Sequence, residues 1–339
     1  MTTLSPPRFD HLIVMSDRWG TFEHAALSRP RVEHGYCTDD MARVLVVAIR
    51  EARPSPDVRW LTDLSLRFLR DAQGLDGDYR NRRNSRGRWT DRPTVEDCWG
   101  RSVWALGTAA AHADRPWTRQ IATIEFERAA RRRSPWPRAM AYAAIGAAEV
   151  LGVMPEHREA RALLAAAADA LPRGSGAAWP WPEARLTYAN AVLPEAMIAA
   201  GSALARPELL QRGLDLLGWL VDHETNAGHF SPTPAGGDGP GADRPAFDQQ
   251  PIEVAALAEA CARAAAADPG DHRWPDGIAD AAAWFAGDND ADSAMFDPDT
   301  GGGYDGLHAD GPNRNQGAES TLALLSTQQH AHDLAPVPT

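Results

Sequence analysis

The sequence predicts an all-α protein with the architecture of an (α/α)6 toroid, in which an inner ring of six helices is wrapped by an outer ring. Six apolar stretches, each opened by a short polar motif, alternate with five amphipathic stretches along the chain. Helices that are apolar all round are buried, whereas helices with one apolar stripe line a surface. The motifs begin near residues 39, 96, 138, 188, 248 and 315, so one helical hairpin recurs along the whole chain.

The first inner helix begins in a polar, acid-bearing turn and continues into the apolar run 44–49. Thr38 or Asp39 is expected to cap it, because a short side-chain oxygen accepts an otherwise unpaired backbone N–H. Asp40 and Arg43 then share one face at helical spacing. The motif therefore places a carboxylate and a guanidinium side by side at the start of a buried helix.

The other helices follow the same alternation. Outer helices are predicted at roughly 57–73, 118–133, 156–171, 207–223 and 275–286, and each lies between two inner helices in the sequence. This pattern contains eleven helices. One outer helix is therefore missing or hidden near the N-terminus, where residues 9–15 are predicted to be extended.

The alternation is uninterrupted, so we predict a single domain over residues 1–329, followed by a flexible tail at 330–339. A solenoid of helix pairs is the alternative architecture. A solenoid would not need a polar cluster at the same end of every inner helix, whereas a closed ring has a use for one.

Composition and charge exclude several classes of function. The net charge of −12 disfavours nucleic acid or an anionic membrane as a partner. All 34 basic residues are arginine, so chemistry that needs a Schiff-base, phosphate-loop or general-base lysine is excluded. The three cysteines form no CxxC pair and are predicted to be small buried residues. Without a signal peptide or a long apolar run, the expected location is cytoplasmic.

The functional argument rests on where the motifs converge. In a closed ring all inner helices point the same way, so their N-termini meet at one mouth. The candidate site residues there are Asp39, Asp40, Arg43, Glu96, Asp97, Trp99, Arg101, Arg138, Tyr142, Trp179, Trp181, Tyr188, Asn190, Asp248, Gln249, Gln250, Glu253, Asn315, Gln316 and Glu319, and His229 and Asp305 join them from two loops. Carboxylates, amides and indole platforms suit a sugar, whose hydroxyls take hydrogen bonds and whose apolar face stacks on an aromatic ring.

The motifs also resemble a known family. They occupy 35–40 (GYCTDD), 96–101 (EDCWGR), 186–191 (LTYANA), 229–232 (HFSP), 248–253 (DQQPIE) and 315–320 (NQGAES). Together they resemble a bacterial family of the six-hairpin glycosidase-like superfamily, whose members are often labelled glycosyltransferases and accompany glycosyltransferases and mannoside phosphorylases. The resemblance covers nearly the whole chain. It implies carbohydrate chemistry on an oligosaccharide or glycoside and carries no catalytic roles with it.

Cleavage of a glycosidic bond needs two carboxyl groups, one as acid and the other as base or nucleophile. We expect Asp40 and Asp248, from opposite parts of the ring, to be this pair, with Glu319 or Asp97 as substitutes. Each of these acids also has a structural interpretation, as a helix cap or as the partner of an arginine. The sequence alone leaves both interpretations open.

Hydrolysis is one form of this chemistry, and phosphorolysis is another, in which Arg43, Arg101 or Arg314 would hold phosphate. A sugar epimerase or isomerase is the first alternative. It would need a histidine pair at the mouth, and the mouth motifs are poor in histidine. The second alternative is a glycan-binding partner of a glycosyltransferase that turns nothing over. We expect no cofactor and no metal, because the histidines show no ligand spacing.

Overall fold

A computed structural model describes residues 6–171, 176 and 179–334. Twelve α-helices lie in this part of the chain: α1 (Asp10–Val14), α2 (Thr38–Arg50), α3 (Pro56–Ala72), α4 (Asp97–His112), α5 (Pro116–Ala129), α6 (Pro137–Val153), α7 (Arg158–Ala170), α8 (Val192–Ala203), α9 (Pro207–His223), α10 (Pro251–Ala267), α11 (Arg273–Ala286) and α12 (Ala318–Leu334). The even-numbered helices pack one against the next, and α12 packs against α2. They form a closed inner ring, so the predicted (α/α)6 toroid is confirmed.

The odd-numbered helices form the outer layer. Helices α3, α5, α7, α9 and α11 each pack on the inner helix that precedes them. Helix α1 packs against α12, where its Leu12 shares a buried cluster with Val44 and Leu322. The twelfth helix thus lies near the N-terminus, but our prediction of an extended segment at residues 9–15 was wrong. An amphipathic period cannot be recognised in a helix of five residues.

Short antiparallel β-ribbons lie around the mouth of the ring. The strands are β1 (Ala25–Ala26), β2 (Arg29–Pro30), β3 (Tyr36–Cys37), β4 (Arg82–Arg83), β5 (Thr225–Asn226), β6 (His229–Phe230), β7 (Gly306–His308) and β8 (Gly311–Asn313). They pair as β1 with β2, β3 with β4, β5 with β6, and β7 with β8. All of them lie in loops that lead into inner helices, so they build the rim around the N-terminal ends of the ring.

Helices α4 and α6 approach each other so closely that only glycine fits between them. A Cβ atom on Gly107 would lie 2.2 Å from the carbonyl oxygen of Gly146. A Cβ atom on Gly146 would in turn lie 2.4 Å from the carbonyl oxygen of Val103. The two backbones are therefore in direct contact, and this contact fixes the spacing of two neighbouring inner helices.

A network of buried ion pairs crosses the interior of the ring toward the C-terminal ends of α2, α6 and α10. Both Nη atoms of Arg50 lie 2.9 Å from the carboxylate of Glu259. Arg263 contacts Glu149 at 2.5 Å and Glu195 at 3.5 Å. A buried charge is tolerated only when it is paired. The network therefore joins inner helices that are not adjacent in the ring, α2 with α10 and α6 with α10.

The axis of the ring is nearly filled between this network and the mouth. The axial cavity, lined by residues of all six inner helices, measures about 40 Å³. That volume holds only a few water molecules. A ligand the size of a sugar can therefore approach only from the mouth.

Several smaller expectations can be compared with the structure. All three cysteines are buried and unpaired, as predicted. None of the described helices combines the length and the apolar character needed to cross a membrane. Residues 330–334, which we predicted to be part of a flexible tail, lie in the final helix, and residues 335–339 lie outside the described part of the chain.

The substitution Gly107→Ala should lower the free energy of unfolding by about 1–3 kcal/mol, because the new methyl group overlaps the backbone of α6. Gly152→Ala is the matched control, since nothing lies within 4 Å of that position on α6. The control should leave stability unchanged or raise it by up to about 1 kcal/mol. Urea denaturation measures both, and equal effects of the two variants would contradict the close contact of α4 and α6.

The buried network also predicts a pH dependence of stability. Burial raises the pKa of Glu195 to about 7, against the opposing charge of Arg263. Folded Glu195 thus keeps its proton in a range where the unfolded chain, with the ordinary value of 4.5, has lost it. The contribution of Glu195 to the free energy of unfolding is therefore lost as the pH rises from 4.5 toward 7.

The variant Glu195→Gln carries an uncharged side chain at every pH. Relative to the wild type, it should gain stability between about pH 5 and about pH 8, by about 3 kcal/mol. Urea denaturation at several pH values measures this difference. Glu208→Gln, on the exposed face of α9, is the control. A wild-type-to-variant difference that does not change with pH would show that Glu195 does not hold this proton.

Candidate functional site

The N-terminal ends of the inner helices surround an open cavity of about 390 Å³, which we call the acidic pocket. The structure brings together in it the predicted residues Asp39, Asp40, Arg43, Arg101, Asp248, Gln250, Asp305 and Glu319. The rest of its lining is Glu23, His24, Cys37, Arg82, Asn313, Gly317 and Ser320. Carboxylates thus outnumber arginines on the wall of this pocket.

A second cavity of about 280 Å³ adjoins the first, and we call it the side pocket. The predicted residues Arg101, Tyr188, Gln250, Glu253 and Glu319 line it, together with Thr187, Ala189, Thr233, Pro234, Ala235 and Ile252. Three residues, Arg101, Gln250 and Glu319, belong to both linings. The two pockets therefore share a wall.

Arg43 lies beneath the acidic pocket and connects two helices of the ring. Its Nη2 atom is 2.5 Å from Asp40 on α2 and 2.9 Å from Glu319 on α12. Asp40 is only 1% exposed, and its other oxygen accepts a hydrogen bond from the Cys37 thiol at 2.9 Å. Both oxygens of Asp40 are thus engaged within the protein, and its assignment to the acid/base pair remains a prediction. Its contacts fit the structural role of positioning Arg43.

Arg101 is held in a similar way on the shared wall. Its guanidinium nitrogens lie 3.4 Å from Asp39 and 3.7 Å from Asp97, at ion-pair distance. The guanidinium also lies 4.9 Å from the centre of the Tyr142 ring, close enough for a cation–π contact. Arg43 and Arg101 are each paired with two carboxylates, which leaves little positive charge for an anionic ligand.

Asp248 differs from the other acids of the acidic pocket. It precedes α10, and its side chain is 36% exposed. Burial raises its pKa, and the neighbouring His308 and Gln250 offset this only in part. His308 Nδ1 lies 3.9 Å from Asp248 Oδ1. A carboxyl whose pKa is raised, and which still reaches the pocket, is suited to donate a proton.

Two histidines at the mouth were not predicted from the sequence as site residues. His24 lines the acidic pocket, and His308 in β7 faces Asp248. We expected a mouth poor in histidine because the motifs themselves contain none at these places. Both histidines lie in the loops that lead into inner helices. Helical periodicity does not apply to a loop, so it could not place these side chains at the mouth. The available signal was their sequence proximity to the first and last motifs.

Two of the three tryptophans that we expected at the mouth cannot stack on a sugar. Trp99 and Trp181 are fully buried. The Trp99 indole donates a hydrogen bond to the Ala129 carbonyl at 3.2 Å, and Trp181 stacks against Trp219. Neither ring offers a free face, so this interpretation was wrong. Tyr188, which is 47% exposed, is the aromatic side chain of the side pocket.

Four predicted ligands, Asn190, Gln249, Gln316 and Glu253, are buried and bonded to the protein itself. Gln249 donates to Asp290 at 2.6 Å, and Gln316 donates to Asp297 at 3.0 Å. Asn190 donates its amide N–H to Glu253, which also accepts the backbone N–H groups of Ala189 and Asn190. Burial and the charge of Glu224 raise the pKa of Glu253 to about 8. These contacts hold the loops that surround the pockets.

The remaining predicted residues are absent from both pocket linings. Glu96 is exposed and accepts a hydrogen bond from Thr94 at 3.3 Å. Asn315 accepts the backbone N–H of Leu27 at 2.9 Å. His229 lies 3.0 Å from Asp290, and Asp97 pairs with Arg101, which lines both pockets. Their local bonds fit a role in shaping the rim.

One group of side chains among the described residues has the spacing of metal ligands. Ligand atoms of Glu23, Cys37 and Asp40 lie within 4.8 Å of one another. Glu23, however, pairs with Arg82, and the Cys37 thiol donates its proton to Asp40. Burial, together with the charge of Asp40, raises the pKa of Cys37 well above its ordinary value. The group fits an ion-pair and hydrogen-bond network better than a metal site, because a thiol binds metal as the thiolate.

Comparison with known proteins confirms the fold and leaves the family open. No protein-family model matches the sequence, and no curated protein matches it. A sugar epimerase from a ruminal bacterium is similar in structure, with a TM-score of 0.71 and 10% identity over 97% of this chain and 96% of that one. The cellobiose 2-epimerase of Bacillus thermoamylovorans B4167 is also similar, with a TM-score of 0.68 and 11% identity over 95% of each chain.

A metagenome-derived glycoside hydrolase family 9 endoglucanase is also similar, with a TM-score of 0.59 and 13% identity over 93% of this chain and 71% of that one. Identities this low establish a shared fold and do not identify a shared reaction. The (α/α)6 fold is thus confirmed. The particular family that the motifs resemble remains a prediction.

The different environments of Asp40 and Asp248 lead to a test. Asp40→Ala should lower the free energy of unfolding by about 3–5 kcal/mol, because it removes a partner of the buried Arg43. Asp248→Ala, at a partly exposed position, should change it by no more than about 0.5 kcal/mol. Thermal and urea denaturation measure both variants. Equal stability of the two would mean that Asp40 is not a structural partner of Arg43.

Proposed function

We propose that this chain is a carbohydrate-active enzyme that hydrolyses a glycosidic bond at the mouth of the ring, with Asp248 as general acid and Glu319 as the second carboxyl group. One observation carries the proposal. Asp248, whose pKa is raised by burial, and Glu319, which is paired with Arg43, line the same open pocket. Glycoside cleavage requires two carboxyl groups in different environments on the two sides of the bond.

The rest of the pocket favours a sugar as substrate. Gln250 and Asn313 offer amide donors and acceptors, and Ser320 offers a hydroxyl. Solved proteins with this fold include sugar epimerases and an endoglucanase, which supports a carbohydrate substrate for this chain as well. A polar, open pocket at the mouth of a ring closed at its axis suits such a ligand.

The arginines at the mouth are paired with carboxylates, and this pairing favours hydrolysis over phosphorolysis. Arg43 pairs with Asp40 and Glu319, and Arg101 pairs with Asp39 and Asp97. Phosphate would have to compete with these carboxylates for each guanidinium. Arg314, the third arginine that we considered, is absent from the lining of both pockets. In hydrolysis the attacking molecule is water, which is uncharged and needs no cation to hold it.

In the proposed reaction Asp248 donates its proton to the glycosidic oxygen as the bond to the anomeric carbon breaks. Glu319 stabilises the positive charge that develops on the sugar, either as a nucleophile or as the base that takes a proton from the attacking water. Water supplies the new hydroxyl group. If Glu319 is the nucleophile, the attacking water returns its proton to Asp248; if Glu319 is the base, Glu319 releases the proton to solvent and Asp248 takes one up from solvent. Because Asp248 must be protonated, the rate should fall as the pH rises above its raised pKa.

Epimerisation or isomerisation of a sugar is the second candidate, and one observation favours it. His308 lies 3.9 Å from Asp248, and His24 lines the same pocket, so a base oriented by a carboxylate is available. This reaction moves a proton on carbon without breaking a glycosidic bond. Its product made in D2O would therefore carry deuterium on carbon, whereas hydrolysis leaves the carbon-bound hydrogens untouched.

A proton NMR time course with manno-, gluco- and galacto-oligosaccharides tests the proposal. The wild-type protein should produce new anomeric signals without phosphate. Asp248→Asn and Glu319→Gln should each lower the rate by about 10²–10⁴-fold. Glu96→Gln, an exposed acid outside both pockets, is the control and should keep the wild-type rate.

Three results would contradict hydrolysis. Signals that appear only with phosphate would indicate a phosphorylase, and deuterium on carbon in D2O would indicate an epimerase or isomerase. Absence of turnover, with selective broadening of the signals of one sugar in wild type and Asp248→Asn alike, would indicate a glycan-binding protein.

A further inference from the structure

The two adjoining pockets divide the mouth into compartments of different chemistry. We propose that they are two subsites, each for one uncharged sugar residue, so that the site recognises a disaccharide unit. This inference rests on the glycoside chemistry proposed above. The acidic pocket would hold the sugar whose anomeric carbon reacts, and the side pocket would hold the sugar on the other side of the bond.

The sizes of the pockets and their shared wall support this division. The volumes of about 390 and 280 Å³ lie near the lower end of the range for small-molecule sites, roughly 300–1,000 Å³. Each is therefore sized for one ring rather than for a chain of sugars. Arg101, Gln250 and Glu319 line both pockets. A bond between sugars in the two pockets would pass these residues, next to the proposed catalytic Glu319.

Tyr188 gives the side pocket a sugar platform that is fixed in advance. Arg138 lies over its ring, 4.8 Å from the ring centre, and donates a hydrogen bond to the backbone carbonyl of Tyr188. Glu253 binds the backbone N–H of the next residue, Ala189, which has a positive φ of 44°. Tyr188 as a whole is still 47% exposed. A platform held before the ligand arrives loses little entropy on binding.

The lining of the side pocket completes the match to a sugar face. Pro234, Ala235 and Ile252 supply apolar surface beside Tyr188, and Thr187 and Thr233 supply polar atoms. The acidic pocket is lined mainly by charged and hydrogen-bonding groups. The first lining suits the apolar face of a pyranose and the second suits its hydroxyls.

The charge of the acidic pocket excludes anionic sugars. Its three arginines are all paired with carboxylates: Arg43 with Asp40 and Glu319, Arg82 with Glu23, and Arg101 with Asp39 and Asp97. Asp248 and Asp305 add carboxylates that no arginine on the pocket wall balances. A uronate, a sugar phosphate or a nucleotide sugar would meet repulsion there without a free cation to bind it.

Binding to the Asp248→Asn variant tests the two-subsite arrangement without requiring turnover. Calorimetry would compare mannobiose, cellobiose and lactose with mannose, glucose and galactose. At least one disaccharide should bind about three- to tenfold more tightly than either of its monosaccharides, because a second ring packs on Tyr188. Adding Tyr188→Ala should reduce the disaccharide to monosaccharide affinity and leave monosaccharide binding unchanged.

Two further variants keep this test specific. Tyr188→Phe retains the ring and should retain the gain in affinity, even if the alanine variant folds poorly. Trp136→Ala removes another exposed aromatic residue, at the start of α6 and outside both pockets, and should change nothing. Glucuronic acid should bind more weakly than glucose.

The inference is overturned if disaccharides gain nothing over monosaccharides, if Tyr188→Ala weakens both alike, or if none of the sugars binds. Failure of the hydrolysis proposal is distinguished by the NMR time course. A wild type that hydrolyses disaccharides, while its Asp248→Asn variant binds them no better than monosaccharides, would refute only the two subsites. A protein that shows the binding gain but no turnover would refute only the proposed hydrolysis.

Discussion

Arg43 joins the first and the last inner helix, and the organisation of the mouth depends on this contact. Its guanidinium reaches Asp40 on α2 and Glu319 on α12, across the position where the ring closes. Closure directs all six inner N-termini to one side, and helix N-termini favour carboxylates. The same ion pairs take up the charge of Asp40 and fix Glu319 at the edge of both pockets. One buried cation thus connects the architecture of the ring with the chemistry of its mouth.

The network around Arg50 and Arg263 has the complementary role deeper in the ring. It joins helices across the interior, while the axial cavity above it has room for only a few water molecules. Substrate access is therefore restricted to the mouth, where the loops vary in length and carry the polar side chains. This separation of a packed interior from a variable rim allows one fold to host different reactions.

The sequence predicts the architecture well because the inner helices have a strong physical signature. Stretches such as 139–148 are apolar on every face, and only a helix buried on all sides can carry them. Helix α1 was not predicted, because its five residues span little more than one turn. The burial of Trp99 and Trp181 could not be predicted, since it depends on packing against Ala129 and Trp219, which lie far away in sequence.

The choice among the acids could not be predicted either. Local spacing indicates that Asp40 and Arg43 interact, but the contact between Arg43 and Glu319 joins opposite ends of the chain. Likewise, only the folded loops bring His308 to Asp248. Carboxylates that look equivalent in the sequence are therefore divided by tertiary contacts into paired and available groups. Asp248 belongs to the available group, and it carries the functional account.

A crystal structure of the Asp248→Asn variant, grown with the oligosaccharide that the wild type cleaves, would test that account most directly. We expect the sugar at the mouth, with its glycosidic oxygen in hydrogen-bond contact with the side chain at position 248 and with Glu319 on the opposite side of the bond. A sugar bound elsewhere would contradict it, for example in the cavity beside Arg161 and Arg263 between α6, α8 and α10. So would a sugar at the mouth that touches neither position 248 nor Glu319.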